Sequence, residues 1–366
     1  MGKKWKIALC GVRGHIDKFG RLINSYEESE TVAVWDLDYD KAVEIADLVG
    51  NCDVYTNFAQ LLELPELDAV VITGHNCLHK ELVIQAAKAG KHIFLEKPLT
   101  TNVEDAIEMR DAIRKAGVKF FLTDPFVNAS TTYLKDFVKS GRLGKIQSVR
   151  VHHTVNENAL LNRGEDYYEY DGLVQMGGHV SDTAGHPMHI LHYLLGKPQR
   201  LYAKLAYGSD AARKFHYEQF ETVVMDYPDE VTAIMEAGLI TAGFTNCVEI
   251  CGTNGVIVQN GMNDRSFSVR YRLSQVTEED IRSGNLREAS NRGDWVEVSK
   301  EEMNPDPDDH IRYFVRMLAE DLPEEGIGVD PASLHGMNLD AAVELVEMIE
   351  AIYESAASGQ AVKVGK

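Results

Sequence analysis

Along the first 122 of 366 residues, short apolar runs alternate with segments of helical period. Residues 5–10, 32–36, 53–56, 67–73, 92–95 and 118–122 read as six strands. Between several of them lie helical patterns such as 78–88 and 103–115, where Val103, Ala106, Ile107 and Ile113 share one face. Most of the strands are apolar enough to be buried, and strands of that kind separated by helices build a parallel sheet flanked by helices.

After residue 123 the pattern changes. Residues 133–138 read as a short helix, Gly144-Lys145 as a turn, and Gln147, Val149 and Val151 mark an alternating strand. Further strands fit 201–206, 221–226, 232–237 and 247–251, and Gly252-Thr253-Asn254-Gly255 supplies a hairpin turn into 256–258. Consecutive strands joined by turns favour an antiparallel sheet. An acidic linker at 301–309 leads to helices at 309–319 and 339–353. The expected fold is α/β with two domains. Residues 1–122 form a doubly wound parallel sheet, and 123–366 form an α+β domain with a large, mainly antiparallel open sheet.

Charge narrows the partners. Lys and Arg number 37 against 57 Asp and Glu, a formal balance of −20, so the surface repels phosphate backbones and anionic lipid heads. The short Lys3, Lys4, Lys6 cluster is no basic patch, and no nucleic-acid or membrane partner is expected. No apolar run reaches the ~20 residues that span a bilayer. Cys10, Cys52, Cys77, Cys247 and Cys251 lack metal-site spacing. Cys247 and Cys251 fall in one strand with Cα atoms ~13 Å apart, too far to bridge. The expected location is a reducing one, the cytoplasm.

The first strand runs into Gly11-Val12-Arg13-Gly14-His15. A dinucleotide fingerprint would have glycines at positions 9, 11 and 14. Leu9 replaces the first, whereas Gly11 and Gly14 keep the places where backbone approaches a pyrophosphate and where helix meets strand. Arg13 at a helix N-terminus adds to anion binding. Asp36 ends the second strand, 22 residues beyond Gly14, where a carboxylate takes hydrogen bonds from the adenosine ribose. No Arg stands beside it to meet a 2′-phosphate, since Leu37 and Asp38 follow, so NAD is favoured over NADP.

The fifth strand ends in Glu96-Lys97-Pro98, at the sheet edge where doubly wound folds bind ligands. The fourth leads to Asn76-Cys77-Leu78-His79 at the same edge. Asn76 either caps the next helix or reaches a nicotinamide ribose, and His79 falls in that helix's first turn.

With these pieces the chain resembles the glucose-fructose oxidoreductase, inositol dehydrogenase and rhizopine-catabolism (Gfo/Idh/MocA) family. The resemblance also takes in Ala89-Gly90-Lys91-His92, residues 140–144, Gly177-Gly178, Asp182 to His186, residues 193–196 and Ile250 to Gly255. It implies an N-terminal Rossmann domain that binds NAD through the Gly11 to His15 turn, Asp36, Asn76, His79, Glu96 and Lys97. It further implies a C-terminal domain whose open sheet forms a homo-oligomer interface, and that Lys97, Asp182 and His186 meet over the nicotinamide.

The chemistry agrees with that grouping. Oxidising a secondary alcohol of a sugar, polyol or glycoside needs a hydride acceptor and a base within reach of the hydroxyl. His186 is the natural base and Lys97 the polariser, although the reverse assignment stays open. Asp182, one helical turn before His186, can orient imidazole or substrate, since residues four apart share a helix face. An enzyme of this fold can also retain NAD and cleave glycosides by transient oxidation and elimination, and a regulator that binds nucleotide without chemistry is the third class.

His179, Asp182, His186 and His189 form an i, i+3, i+7, i+10 stripe, which Pro187 can kink. Ten residues of helix span ~15 Å, so four ligands from one helix cannot converge on a metal. The preferred reading is no metal. The sharper alternative is a metal shared by His186 and His189 with ligands such as His153 from elsewhere. Otherwise His153, Asn156, His179, His189 and Tyr167 are candidates to line a polar pocket for several hydroxyls.

Overall fold

The computed structural model describes residues 3–12, 14–123, 129–155, 178–239, 246–261, 267–284, 286–289, 292–303, 310–320 and 338–365. Six strands, β1 (Trp5–Cys10), β2 (Ser29–Trp35), β3 (Asp53–Tyr55), β4 (Ala69–Ile72), β5 (His92–Glu96) and β6 (Phe120–Thr123), form one parallel sheet. Their order is β3-β2-β1-β4-β5-β6. The order reverses beside β1, which places a crevice at the carboxyl ends of β1 and β4.

Burial on both faces follows from side-chain alternation. Ala8, Cys10, Val70, Ile72, Ile93 and Leu95 point to one apolar cluster, with the helices α3 (Phe58–Leu62), α4 (Asn76–Lys88) and α5 (Val103–Ala116). Ile7, Leu9, Ala69, Val71, Phe94 and Phe121 point to the other, with α1 (Ile16–Ser25) and α2 (Tyr39–Val49). Local chemistry sets the helix ends. Asp38 and Asn102 accept from the first-turn amides of α2 and α5, and Gly117, at φ 66°, closes α5.

The division of the chain differs from a single boundary near residue 123. One compact unit comprises Met1–Pro125, Asp166–Gly185 and Asp306–Glu350, and the other comprises Phe126–Glu165, His186–Pro305 and Ala351–Lys366. The reason is burial of the sheet faces. The helix His310–Ala319 lays Phe314 against Phe94, ring centroids 5.5 Å apart, and Leu339, Ala342, Val343 and Val346 join the α4–α5 side. A 122-residue segment leaves apolar sheet uncovered, and late helices complete it.

The second unit holds a nine-stranded sheet ordered β14-β13-β12-β11-β7-β10-β9-β8-β15. Its strands are β7 (Ile146–Thr154), β8 (Arg200–Ala206), β9 (Phe220–Asp226), β10 (Thr232–Gly238), β11 (Cys247–Gly252), β12 (Gly255–Asn260), β13 (Ser268–Leu273), β14 (Val296–Val298) and β15 (Val362–Lys363). The expected hairpin is present, with Gly252 opposite Gly255, and the pairs are antiparallel except β7 with β10. Tyr202, Val224 and Ile234 lie in register on one face, with Tyr202 44% and Val224 36% exposed. All five cysteines are free. Among the described residues, no helix is long and apolar enough to cross a membrane.

Candidate active site

The turn after β1 is built for close backbone approach. Gly11 has φ 90°, and a Cβ there would lie 2.3 Å from Gly74 Cα, so the turns after β1 and β4 touch backbone to backbone. The Thr73 hydroxyl donates to the Gly11 carbonyl, a contact that nothing local in the sequence marks. Asp36 accepts from the Val12 amide at 2.6 Å and from the Asp38 amide at 2.8 Å. Its carboxylate therefore ties the first two turns together at the crevice. Beside it, a cavity of about 330 Å³ is lined by Trp35, Leu37, Phe58, Leu78 and Leu82, among others. A flat apolar ring next to a carboxylate suits an adenosine, and the volume suffices for one. Phe58 and Leu78 could have been found only through strand order, since nothing in the sequence puts α3 and α4 beside Asp36.

Gly14 and His15 meet the end of β5. A Cβ at Gly14 would lie 2.6 Å from Glu96 Oε2, and His15 Nδ1 donates to Glu96 Oε1 at 3.0 Å. That hydrogen bond raises the His15 pKa above its ordinary 6.5, against opposing effects of burial, Lys18 and Lys97. A raised folded value means that the pair's contribution to stability is complete below the unfolded pKa and fades as pH rises through the folded one. The melting-temperature gap between the parent and His15→Gln is therefore expected to be larger near pH ~5.5 than near pH ~8.5. A gap independent of pH would remove the pair from this role.

The Lys97-Pro98 peptide is cis. Lys97 Nζ donates to the Asp182 carboxylate at 2.7 Å and to the Asp182 carbonyl at 3.0 Å, with the two side chains 18% and 22% exposed. His79, 1% exposed in the first turn of α4, has Nδ1 2.9 Å from the Pro98 carbonyl and Nε2 3.1 Å from the Gly74 carbonyl. Burial pushes its pKa below 6.5, against those two contacts. Both ring nitrogens of His79 face backbone carbonyls. Asn76 is the first residue of α4, and His75 takes the cap position, so the capping alternative for Asn76 is not what the chain adopts.

The expected helical stripe also needs correction. His179 lies on Gly178–Ser181, the helix is interrupted at Asp182, and a second helix, Gly185–Leu195, carries His186 and His189. Pro187 falls in the first turn of this second helix, where a missing N–H costs nothing, so it produces no kink. Asp182 accordingly reaches Lys97 from a turn, not from a face shared with His186. In the second unit His153 and His186 meet edge to face, ring centroids 6.0 Å apart, and His153, His186 and His189 are 1%, 8% and 2% exposed. His179 is fully buried in the first unit. Among the described residues, no group of three or more His, Cys, Asp and Glu is placed to hold a metal. Arg13, Asn156 and Tyr167 lie outside the described residues.

A parallel sheet in the order β3-β2-β1-β4-β5-β6 with a glycine turn, Asp36 and an adenosine-sized cavity at its carboxyl edge defines a dinucleotide-binding Rossmann domain. Two family models match the chain: the oxidoreductase family NAD-binding Rossmann fold over residues 5–123, and the GFO/IDH/MocA C-terminal domain over 131–258. The chain belongs to the GFO/IDH/MocA oxidoreductase family, and its N-terminal domain is the family's NAD-binding domain. It is 32% identical over 182 residues to an uncharacterized oxidoreductase of Synechocystis, an alignment covering 50% of this chain and 48% of that protein. The chain thus spans about half of that relative. D-xylose 1-dehydrogenase (NADP+) 2 of Haloferax volcanii is 25% identical, with 92% and 93% of the two chains covered. An oxidoreductase from Agrobacterium radiobacter, solved with NAD+, L-tartaric acid and magnesium, shares the fold at TM-score 0.75 and 18% identity, with 99% of both chains covered.

Proposed function

We propose that this protein is an NAD-dependent dehydrogenase that moves hydride between the nicotinamide and a secondary hydroxyl of a sugar, polyol or glycoside. The Lys97–Asp182 pair carries the reading: an ammonium fixed by a carboxylate and a carbonyl, at the carboxyl edge of an NAD-binding sheet. The residues around the dinucleotide site suit the cofactor, with Gly11 and Gly14 for the pyrophosphate, Asp36 for the ribose, and Leu37 and Phe58 for the adenine. When bound, NAD supplies the hydride acceptor.

The protein's own residues do the rest. Lys97 donates to the substrate oxygen and stabilises its developing negative charge, because an ammonium already paired with a carboxylate is better suited to that role than to removing a proton. His186 takes the hydroxyl proton. Asp182 holds Lys97. His153, His179 and His189 supply buried donors and acceptors suited to further hydroxyls, and the name of the Haloferax relative supports a sugar as substrate. We assign the chain to a reducing compartment, in keeping with its five free cysteines. The in-register row of Tyr202, Val224 and Ile234 supports self-association through the open sheet.

The test is a panel of polyols, aldoses and glycosides with NAD, followed by NADH absorbance and product analysis. Accumulating NADH supports the proposal. Aglycone release without NADH points to transient oxidation and elimination, and no turnover with any member overturns the enzymatic reading. Cofactor choice is tested at Asp36. Asp36→Ser removes the carboxylate that would face a 2′-phosphate, so the ratio of kcat/KM for NAD to that for NADP is expected to fall by about tenfold or more. An unchanged ratio would place the discrimination elsewhere.

A further inference from the structure

Two turns of the first unit matter for the proposed chemistry, and one side chain joins them. The turn after β4 touches the nucleotide turn, since Gly74 Cα blocks any side chain at Gly11 and Thr73 donates to the Gly11 carbonyl. The turn after β5 carries Lys97 and Pro98. The imidazole of His79 stands between the two, Nδ1 at 2.9 Å from the Pro98 carbonyl and Nε2 at 3.1 Å from the Gly74 carbonyl. Nothing else about the ring suggests contact with a ligand, because it is 1% exposed.

We infer that His79 is a positioning residue: through its contact with the Pro98 carbonyl it fixes the turn that delivers the Lys97 ammonium to Asp182. The mechanical reason is short range. The Pro98 carbonyl belongs to the residue after Lys97, so a shift in that peptide rotates the lysine stem, and a stem of four methylenes turns a small rotation into displacement of Nζ. A carbonyl accepts only from an N–H, so a neutral ring serves one of the two carbonyls and a protonated ring serves both. The shorter contact, to Pro98, is the one assigned to Lys97. The inference depends on the dehydrogenase reading only for what Lys97 then does; its position against Asp182 is independent of that reading.

The experiment separates the two ends of the ring. In His79→Asn the amide nitrogen takes the place of Nδ1 and keeps the Pro98 contact. In His79→Gln it takes the place of Nε2 and keeps the Gly74 contact. The readout needs no cofactor or substrate: the rate at which Lys97 is acetylated by an N-hydroxysuccinimide ester, read by peptide mass spectrometry and normalised to the exposed Lys115. Loss of one buried hydrogen bond loosens the turn, so His79→Gln is expected to label at Lys97 about tenfold faster than the parent and His79→Asn within about twofold. The kcat on an active polyol is expected to fall in His79→Gln and to be retained in His79→Asn.

Parent-like labelling of Lys97 in His79→Gln overturns the inference, and so does equal acceleration in both variants. If the glutamine variant does not fold, His79→Asn decides alone: labelling at the parent rate supports the inference, and an acceleration of about tenfold overturns it. A chain with no turnover on any polyol but the expected labelling pattern loses the dehydrogenase reading and keeps this one; turnover with an unchanged pattern does the reverse.

Discussion

Lys97→Ala is expected to lower kcat by about two to four orders of magnitude while NADH still binds, and His186→Ala to do the same. The lysine change removes the ammonium paired with the Asp182 carboxylate, and with it the charge proposed to stabilise a forming alkoxide. Cofactor binding is expected to persist, because Gly11, Asp36 and the Leu37–Phe58 cavity lie in other turns of the sheet edge. Lys97→Arg is not expected to restore activity, since a planar guanidinium cannot occupy the site of a compact ammonium in the same geometry. The His186 change removes the proposed base, and the double variant is expected to be no slower than about the worse single, as residues acting on one proton and one oxygen are not additive. The measurement is steady-state kinetics on the most active polyol alongside NADH fluorescence titration. Turnover within about threefold of the parent in either variant would withdraw that residue from the reaction.

Gly11→Ala is expected to be the most damaging single methyl in the first unit. The residue has φ 90°, which costs an L side chain about 1–3 kcal/mol, and the new Cβ would sit 2.3 Å from Gly74 Cα and 2.5 Å from Gly74 N. Neither backbone atom can yield cheaply. The Gly11 amide donates to the Trp35 carbonyl at 2.8 Å and the Thr73 amide donates to the Cys10 carbonyl at 2.9 Å, so both turns are tied to the sheet. Relief requires one turn to move, at about another 1–3 kcal/mol, and the turn that carries the new methyl is the one proposed to receive the pyrophosphate. Gly90→Ala is the control, with φ 70° and nothing within 4 Å of the new Cβ, so it carries the backbone strain without the clash. Melting temperature should fall further in Gly11→Ala than in Gly90→Ala, and NADH affinity should be lost only in the former. Equal melting temperatures and retained NADH affinity would show that the two turns are not in contact.

Elements governed by near neighbours could be read from the sequence. The six strands of the first sheet, the hairpin at Gly252 to Gly255, the Gly11 to His15 turn and the carboxylate at Asp36 all follow from apolar period, glycine placement and spacing within a few tens of residues. Readings that assumed one element where there are two did less well. The stripe through His179 and His189 treated 179–189 as a single helix, whereas the chain breaks at Asp182, and a period of 3.6 cannot reveal a break that leaves the polar residues in place. A helix's apolar face does not say which sheet it covers, so the sequence does not assign His310–Ala319 to the first unit.

Apolar period and motif spacing pointed to a parallel sheet with a dinucleotide turn and to a second sheet of mostly antiparallel strands, while the resemblance to the family implied a lysine and a histidine placed for alcohol chemistry. These are properties of segments, set by local sterics and by the need to bury apolar faces. The family resemblance led to the expectation that Lys97 meets Asp182, and only tertiary structure decided that His310–Ala319 completes the first sheet and that His79 lies on the Pro98 and Gly74 carbonyls. Each of these contacts depends on strand order and on where a turn ends, and pairings between distant segments are selected by the packing of the whole core, which no single stretch of chain encodes.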